Sequence, residues 1–138
     1  MSHGFMGKIL RIDLSKGTVT EEALRWDWAQ KYVGGAGLAT RYLYEEVPAG
    51  VDPYGPQNRL IFMTGPLTGT AANMSGRLAV VTKSPLTGTV TDAHQGGWSA
   101  ARMRWAGFDG LAIKGKAEKP VYLYLEDGKV EIRDASDV

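Results

Sequence analysis

Residues 65–97 contain the side chains of this sequence whose types and spacing favour ligand binding. The string PLTGT occurs twice here, at residues 66–70 and 85–89, and Arg77 stands between the two copies. Proline presets φ and the glycine three residues later permits a positive φ, so each copy is typical of a tight turn. As a functional alternative, the two turns would expose backbone N–H groups and threonine hydroxyls on one side of a sheet, where they could bind phosphate or a polar heterocycle.

His94 and Gly96 come next, where a predicted strand ends and a predicted helix begins. Unpaired N–H groups and the positive end of the helix dipole would point at one spot there. Gly96 and Gly97 would let an anion approach the backbone closely. A lone histidine is more often a structural residue than a ligand. The predicted anion site therefore depends on the glycines and the helix start, and only weakly on the His94 side chain.

Arg77 opens an apolar run that is typical of a buried strand. It is either a surface arginine whose stem packs against the protein or a guanidinium held over the same surface. In the second case it would bind phosphate or a polar ring through two parallel hydrogen bonds. The residue types alone leave both interpretations open.

Two other patterns carry less weight. Residues 35–37 read Gly-Ala-Gly, but they follow a helix-like segment and lack the third glycine of a dinucleotide fingerprint, so they predict a turn between helices. Trp98 and Trp105 share a helix face with Arg102, and we expect both tryptophans to pack in the core.

Composition limits the classes of function. The 138 residues are 43% hydrophobic and carry a formal net charge of +1, as in one globular domain or a piece of a larger one. This charge gives no reason to expect nucleic acid or an anionic membrane as a partner.

No apolar run is long enough to cross a membrane and no signal peptide is evident, so we expect a cytoplasmic protein. The absence of cysteine excludes disulfides and a cluster held by cysteines of this chain. Asp92 and Asp109 are isolated in the sequence, and no catalytic triad or carboxylate pair stands out.

The predicted elements that position these residues follow one another along the chain as strands, then helices, then strands again. This order lacks a regular βαβ alternation and predicts an α+β fold with antiparallel or mixed sheets and a few helices. The predicted elements are a hairpin at 8–22, two helical pieces within 25–47 split at Gly34-Gly35, a loop at 48–58, strands at 59–65, 77–83 and 89–93, a helix within 96–107, and strands at 110–115, 120–128 and 129–135.

Several strings together resemble one known family. They include YVGGAGLATRYLYEEV, LIFMTGPLTGT, VVTKSPLTG and DAHQGGWSAARMRWAGFDGLAIKGKAEKPVYLY. In order and nearly without gaps from about residue 6 onward, they are similar to the N-terminal domain of the aldehyde ferredoxin oxidoreductase family. Members are tungsten or molybdenum enzymes that oxidise an aldehyde to a carboxylic acid.

The resemblance implies roles for three residues. Arg77 matches an arginine that reaches between a pterin and an iron–sulfur cluster, and Gly96 matches a glycine that contacts a pterin. His94 stands where some members have asparagine, at a position whose backbone carbonyl helps to hold a magnesium ion. That ion bridges the phosphates of two pterins, which bind the tungsten or molybdenum. The two PLTGT turns and the residues HQGG would then let backbone lie flat beneath this cofactor.

The resemblance also implies partners that this chain does not contain. A four-iron four-sulfur cluster held by later domains would pass electrons to ferredoxin or a similar carrier. The N-terminal domain would be a duplication whose second half is missing here, so residues 1–138 would not be active without the remainder of the enzyme or a companion subunit. The alternative is a non-catalytic binding or assembly module that self-associates into a homo-oligomer, because half of a sheet should leave apolar edges exposed.

Overall fold

The computed structural model describes residues 4–137, which form a mixed sheet with helices on both faces and a separate hairpin. The α+β class predicted from the sequence is confirmed. Its strands are β1 (Lys8–Asp13), β2 (Thr18–Ala23), β3 (Leu60–Met63), β4 (Leu78–Lys83), β5 (Val90–Gln95), β6 (Gly110–Lys114), β7 (Val121–Glu126) and β8 (Lys129–Asp134), and its helices are α1 (Trp26–Tyr32), α2 (Gly35–Glu46) and α3 (Ser99–Trp105). None of these helices within residues 4–137 has the length and apolar character needed to cross a membrane.

The six-stranded sheet has the order β2-β1-β6-β3-β4-β5. All neighbours are antiparallel except β1 and β6, which run parallel. The remaining two strands, β7 and β8, form a hairpin of their own, joined at Asp127 and Gly128. Both of these residues have positive φ, 46° and 78°, as the Asp-Gly sequence predicts for a tight hairpin turn.

Apolar side chains on both faces of the central strands bury the sheet on two sides. In β1, Ile9 packs under α1 and α2, whereas Leu10 and Ile12 point to the opposite face, because successive side chains of a strand alternate. The opposite face is covered by α3 and by the β7–β8 hairpin. The sheet is therefore the middle layer of three, and its two ends remain open to the outside.

At one end of the sheet lie four strand termini that meet in register. The register pairs Met63 with Gly110 and with Ala79, and Leu78 with Gln95, so β3 and β5 end where β4 and β6 begin. Glycines stand in or beside each of these four termini, at 65, 76, 96 and 110. We call this end, which is formed by strand termini and is not an edge strand, the glycine edge.

The two copies of PLTGT lie at opposite ends of the sheet, so the expectation that they share one surface is wrong. The copy at 66–70 follows β3 at the glycine edge, and the copy at 85–89 joins the far ends of β4 and β5. Each copy does form a turn, with Gly69 and Gly88 both at φ 70°. Because the copies are separated by the length of β4, repetition of the string reflects repeated turn chemistry only.

Asp109 ties the N-terminal segment to the glycine edge. Its side chain is 0% exposed, and the two carboxylate oxygens accept hydrogen bonds from the backbone N–H groups of Met6 and Gly7 at 2.8 and 2.7 Å. Burial raises the pKa of Asp109, whereas these two N–H donors act in the opposite direction. A residue that looks isolated in the sequence is thus a buried structural carboxylate.

We predict that Asp109→Ala lowers the free energy of unfolding by about 2–4 kcal/mol, because two backbone N–H groups lose their acceptor. Urea denaturation followed by circular dichroism measures this loss. Asp27→Ala is the matched control, since Asp27 is an exposed carboxylate whose partner is Arg25, and we expect a stability close to that of the wild type. Equal losses in the two variants would contradict the structural role of Asp109.

Candidate functional site

A groove of about 400 Å³ opens at the glycine edge. It collects backbone from the turn before α2, from the first PLTGT copy and from the loop before β4. Its lining consists of residues 33–35, 65–68 and 73–75 together with Arg77, Ala79 and His94. None of these lining residues is acidic, and three of them are glycines, so the groove presents backbone and one guanidinium to a ligand, beside the exposed side chains of Val33, Leu67 and Met74.

The structure brings two of the three predicted site residues together. Arg77 and His94 both line the groove, although they lie on different segments. Gly96 does not line it and lies two residues beyond His94, on the exposed segment between β5 and α3. A Cβ placed on Gly96 would meet no heavy atom within 4 Å, so nothing in the chain itself requires glycine there.

Arg77 is exposed immediately before β4. The nine ion pairs formed within residues 4–137 do not include it. Both interpretations that the sequence left open, a surface arginine and a guanidinium held over the groove, are compatible with this exposed position. The guanidinium is available for an anionic or polar ligand in the groove.

His94 lies within β5 and not after it, because the strand extends two residues beyond the predicted 89–93. Its Nε2 is 3.0 Å from a carboxylate oxygen of Asp92, and both side chains are about half exposed. The helix that follows begins only at Ser99 and has seven residues. The groove, and not the start of α3, is therefore the candidate site.

Gly34 shapes the floor of the groove through a close backbone approach. Its φ of 144° with ψ of −169° belongs to a region that only glycine adopts readily. A Cβ at this position would stand 2.9 Å from the Thr64 carbonyl oxygen and 3.0 Å from the Gly65 Cα. The sequence signal was the Gly34-Gly35 pair, which predicted the break between helices but not its contact with the first PLTGT copy.

The expectation that Trp98 and Trp105 pack in the core is wrong. They are 68% and 59% exposed, and their rings contact each other with centroids 6.0 Å apart. The buried face of α3 is instead formed by Ala100, Ala101, Met103 and Arg104. Small residues let this short helix lie close to the sheet, which leaves the tryptophans on its outer side.

A larger cavity of about 590 Å³ lies at the opposite end of the sheet and is lined by charged residues. Its arginines already have carboxylate partners. Arg11 lies 2.7 Å from Glu22 and 2.6 Å from Glu46, and Arg59 lies 3.3 Å from Glu46. Because these ion pairs join α2 to the sheet, we assign this cavity a structural role, despite its greater size.

No group of three or more His, Cys, Asp or Glu residues within 4–137 is placed to hold a metal ion. Side chains of the described part of the chain thus offer no complete metal site.

Comparison with known proteins points to one family. The family described as aldehyde ferredoxin oxidoreductase, N-terminal domain, matches residues 9–138. The chain is 50% identical over 135 residues to a tungsten-containing aldehyde ferredoxin oxidoreductase of Pyrococcus abyssi, an alignment that covers 98% of this chain and 22% of the relative. It is 39% identical over 137 residues to the WOR-like subunit of an aliphatic sulfonate oxidoreductase of Pyrococcus furiosus, covering 97% of this chain and 22% of that protein.

A solved structure agrees with these sequence matches. The active site complex BamBC of benzoyl coenzyme A reductase, in complex with 1,5 dienoyl-CoA, contains a chain that superposes with a TM-score of 0.95. The two are 39% identical, and the match covers 99% of this chain and 21% of that chain. The chain spans 22% of the length of the curated relatives cited above.

We predict that Gly34→Ala lowers the free energy of unfolding by about 3 kcal/mol, because the Cβ forces both the backbone conformation and the contact with Thr64 to change. Gly17→Ala is the control, since Gly17 also has positive φ, 62°, but open space around its Cβ. We expect Gly17→Ala to cost about 1 kcal/mol from the left-handed conformation alone. Thermal or urea unfolding of both variants measures the difference, and equal costs would show that the close approach is unimportant.

Proposed function

Because the chain belongs to the aldehyde ferredoxin oxidoreductase family, we propose that it supplies part of the cofactor site of a tungsten-containing oxidoreductase. In this proposal residues 1–138 are the first half of a duplicated pterin-supporting domain. The rest of the enzyme, in the same polypeptide or a companion subunit, supplies the second half. The observation that carries the proposal is the convergence of Arg77, His94 and backbone from two glycine-containing turns on one groove.

The groove suits a broad, flat and phosphorylated cofactor. Glycines 34, 35 and 65 line it without side chains, which leaves the backbone accessible to the faces of a ring system. Arg77 offers several N–H donors in one plane, the arrangement that binds phosphate or the polar edge of a heterocycle. The absence of acidic residues from the lining avoids repulsion of phosphate.

We assign the three predicted residues the following roles. Arg77 would bind the cofactor through its guanidinium. Gly96 provides a surface that the pterin approaches closely, which its open surroundings support. The backbone carbonyl of His94 would help to hold the magnesium ion of the cofactor. Its imidazole, paired with Asp92, has no direct role.

When bound, the tungsten or molybdenum bis-pterin cofactor supplies the two-electron redox chemistry that converts an aldehyde to a carboxylic acid. The residues of this chain bind it, orient it and exclude water from one side. The four-iron four-sulfur cluster and the groups that handle substrate belong to later parts of the enzyme. When present, that cluster would supply the electron connection to ferredoxin or a similar carrier, in a cytoplasmic enzyme.

One observation favours a second function. All six residues of β5 are exposed, and β5 is an edge strand whose outer side has no partner within residues 4–137. Exposed edge strands pair readily with other strands. The alternative is therefore a non-catalytic assembly module that forms homo-oligomers through β5. Tungsten and pterin in the purified protein would contradict this alternative.

We predict that Arg77→Ala and Gly96→Ala each lower the tungsten and pterin content per chain by about tenfold. Neither should change the unfolding temperature of the cofactor-free chain appreciably, because Arg77 is exposed and the Gly96 Cβ has space. Elemental mass spectrometry and pterin fluorescence after oxidation measure the content.

Two further variants complete this test. Arg133→Ala removes a partly exposed arginine, paired with Glu131, from β8, away from the groove, and should leave the cofactor content unchanged. His94→Asn should also retain the cofactor, because a backbone carbonyl survives the substitution. Wild-type content in both Arg77→Ala and Gly96→Ala would contradict the assigned site.

A further inference from the structure

Arg104 is a buried arginine on α3, the helix that covers the face of the sheet opposite α1 and α2. Its side chain reaches the wall of the groove. Its side chain is only 6% exposed, although arginine is rarely so buried without a charged partner. Its Nη1 donates hydrogen bonds to the carbonyl oxygens of Gly65 and Pro66 at 2.7 and 3.0 Å. Both of these residues line the groove, so the guanidinium lies one hydrogen bond behind the wall.

The wall residues 64–66 have every backbone hydrogen-bonding group satisfied from within the chain. The Thr64 N–H and hydroxyl both donate to the Asp109 carbonyl oxygen, at 2.9 and 2.7 Å, and the Thr64 carbonyl accepts from the Gly35 N–H at 2.9 Å. The Gly65 N–H donates to the Thr68 hydroxyl at 3.0 Å. Arg104 donates to the two remaining carbonyls, and the Gly65 carbonyl also accepts from the Thr68 N–H at 3.1 Å. The wall is thereby fixed before any ligand arrives.

A neutral donor could satisfy the same carbonyls at a lower desolvation cost, since a buried charge is expensive unless it is paired. The ion pairs within residues 4–137 give Arg104 no carboxylate at salt-bridge distance. The buried Asp109 carboxylate is near enough for Arg104 to lower its pKa, but the two form no salt bridge, and the guanidinium stands beside a groove whose lining contains no acidic residue. Such a charge favours an anionic ligand on the other side of the wall.

We propose that Arg104 is a positioning residue for the cofactor: it fixes the Gly65–Pro66 wall and places a positive charge behind it for the phosphate groups. This proposal rests on the proposed function of the groove. It assigns the same arginine two separable contributions, the two-carbonyl contact and the charge.

Three variants separate these contributions in the protein purified at its native length. Arg104→Lys keeps the charge but loses the two-carbonyl contact, and Arg104→Met loses both. Arg102→Met is the matched control, since it removes an exposed arginine from the same helix, outside the groove. Two quantities are measured on the folded fraction: tungsten and pterin per chain, and hydrogen exchange of the amides in residues 64–70 of the cofactor-free chain.

We expect Arg104→Met to lower the cofactor content by roughly tenfold or more, and Arg104→Lys by a smaller factor. Exchange in residues 64–70 should be faster in both variants, and Arg102→Met should match the wild type in both measurements. A residue that only stabilises the fold would lower the unfolding temperature but leave the cofactor content of the folded fraction unchanged.

Wild-type cofactor content in folded Arg104→Met would overturn the proposal. If Arg104→Met does not fold, Arg104→Lys decides, and wild-type content despite faster exchange would overturn it equally. A wild-type protein without tungsten or pterin would contradict the proposed function instead. In that case only hydrogen exchange tests the contact between Arg104 and the two carbonyls. Unchanged exchange of residues 64–70 in Arg104→Lys would show that Arg104 does not fix the wall.

Discussion

The double hydrogen bond from Thr64 to the carbonyl oxygen of Asp109 is the constraint on which the glycine edge depends. It joins the end of β3 to the residue before β6 at 2.9 and 2.7 Å, in a position that is fully buried. The Asp109 carboxylate holds Met6 and Gly7 at the same place. Because these contacts satisfy the polar groups internally, the outer surface of the edge is left for a ligand.

The two ends of the sheet differ in how their charges are arranged. At the far end, Arg11 and Arg59 bind carboxylates that join α2 to the sheet, so their charges are neutralised within the chain. At the glycine edge, Arg77 is exposed and Arg104 is buried behind the groove wall. This arrangement favours an anion at the glycine edge. Positive charge and accessible backbone thus coincide at the groove to which we assign the cofactor.

Much of the fold followed from local sequence, because its signals are local. Asp127-Gly128, the alternation in β1 and the Gly34-Gly35 break each act within a few residues, and each predicted its element correctly. The class of the sheet followed from the order of elements. Strand order did not, since pairing β1 with β6 joins segments about a hundred residues apart.

For the site residues, too, the sequence predicted those with local signals and missed those whose roles depend on distant contacts. Arg77 and Gly96 were predicted because glycine and arginine at a turn suggest ligand binding, and of the two the fold places Arg77 in the groove. Asp109 and Arg104 were missed, because their roles arise from contacts with residues 102 or 103 and 38 or 39 positions away in sequence. The prediction that both tryptophans are buried was wrong for a related reason. Helical spacing shows which residues share a face, but not which face is buried.

The most direct test is the position of the metal in crystals of the protein purified from its native host, located by anomalous scattering at the tungsten absorption edge. We expect one metal site per chain, with cofactor density entering the groove lined by Gly34, Gly65 and Arg77. Metal at the charged far end of the sheet, or a groove filled by protein with no cofactor in reach of Arg77, would contradict the assignment.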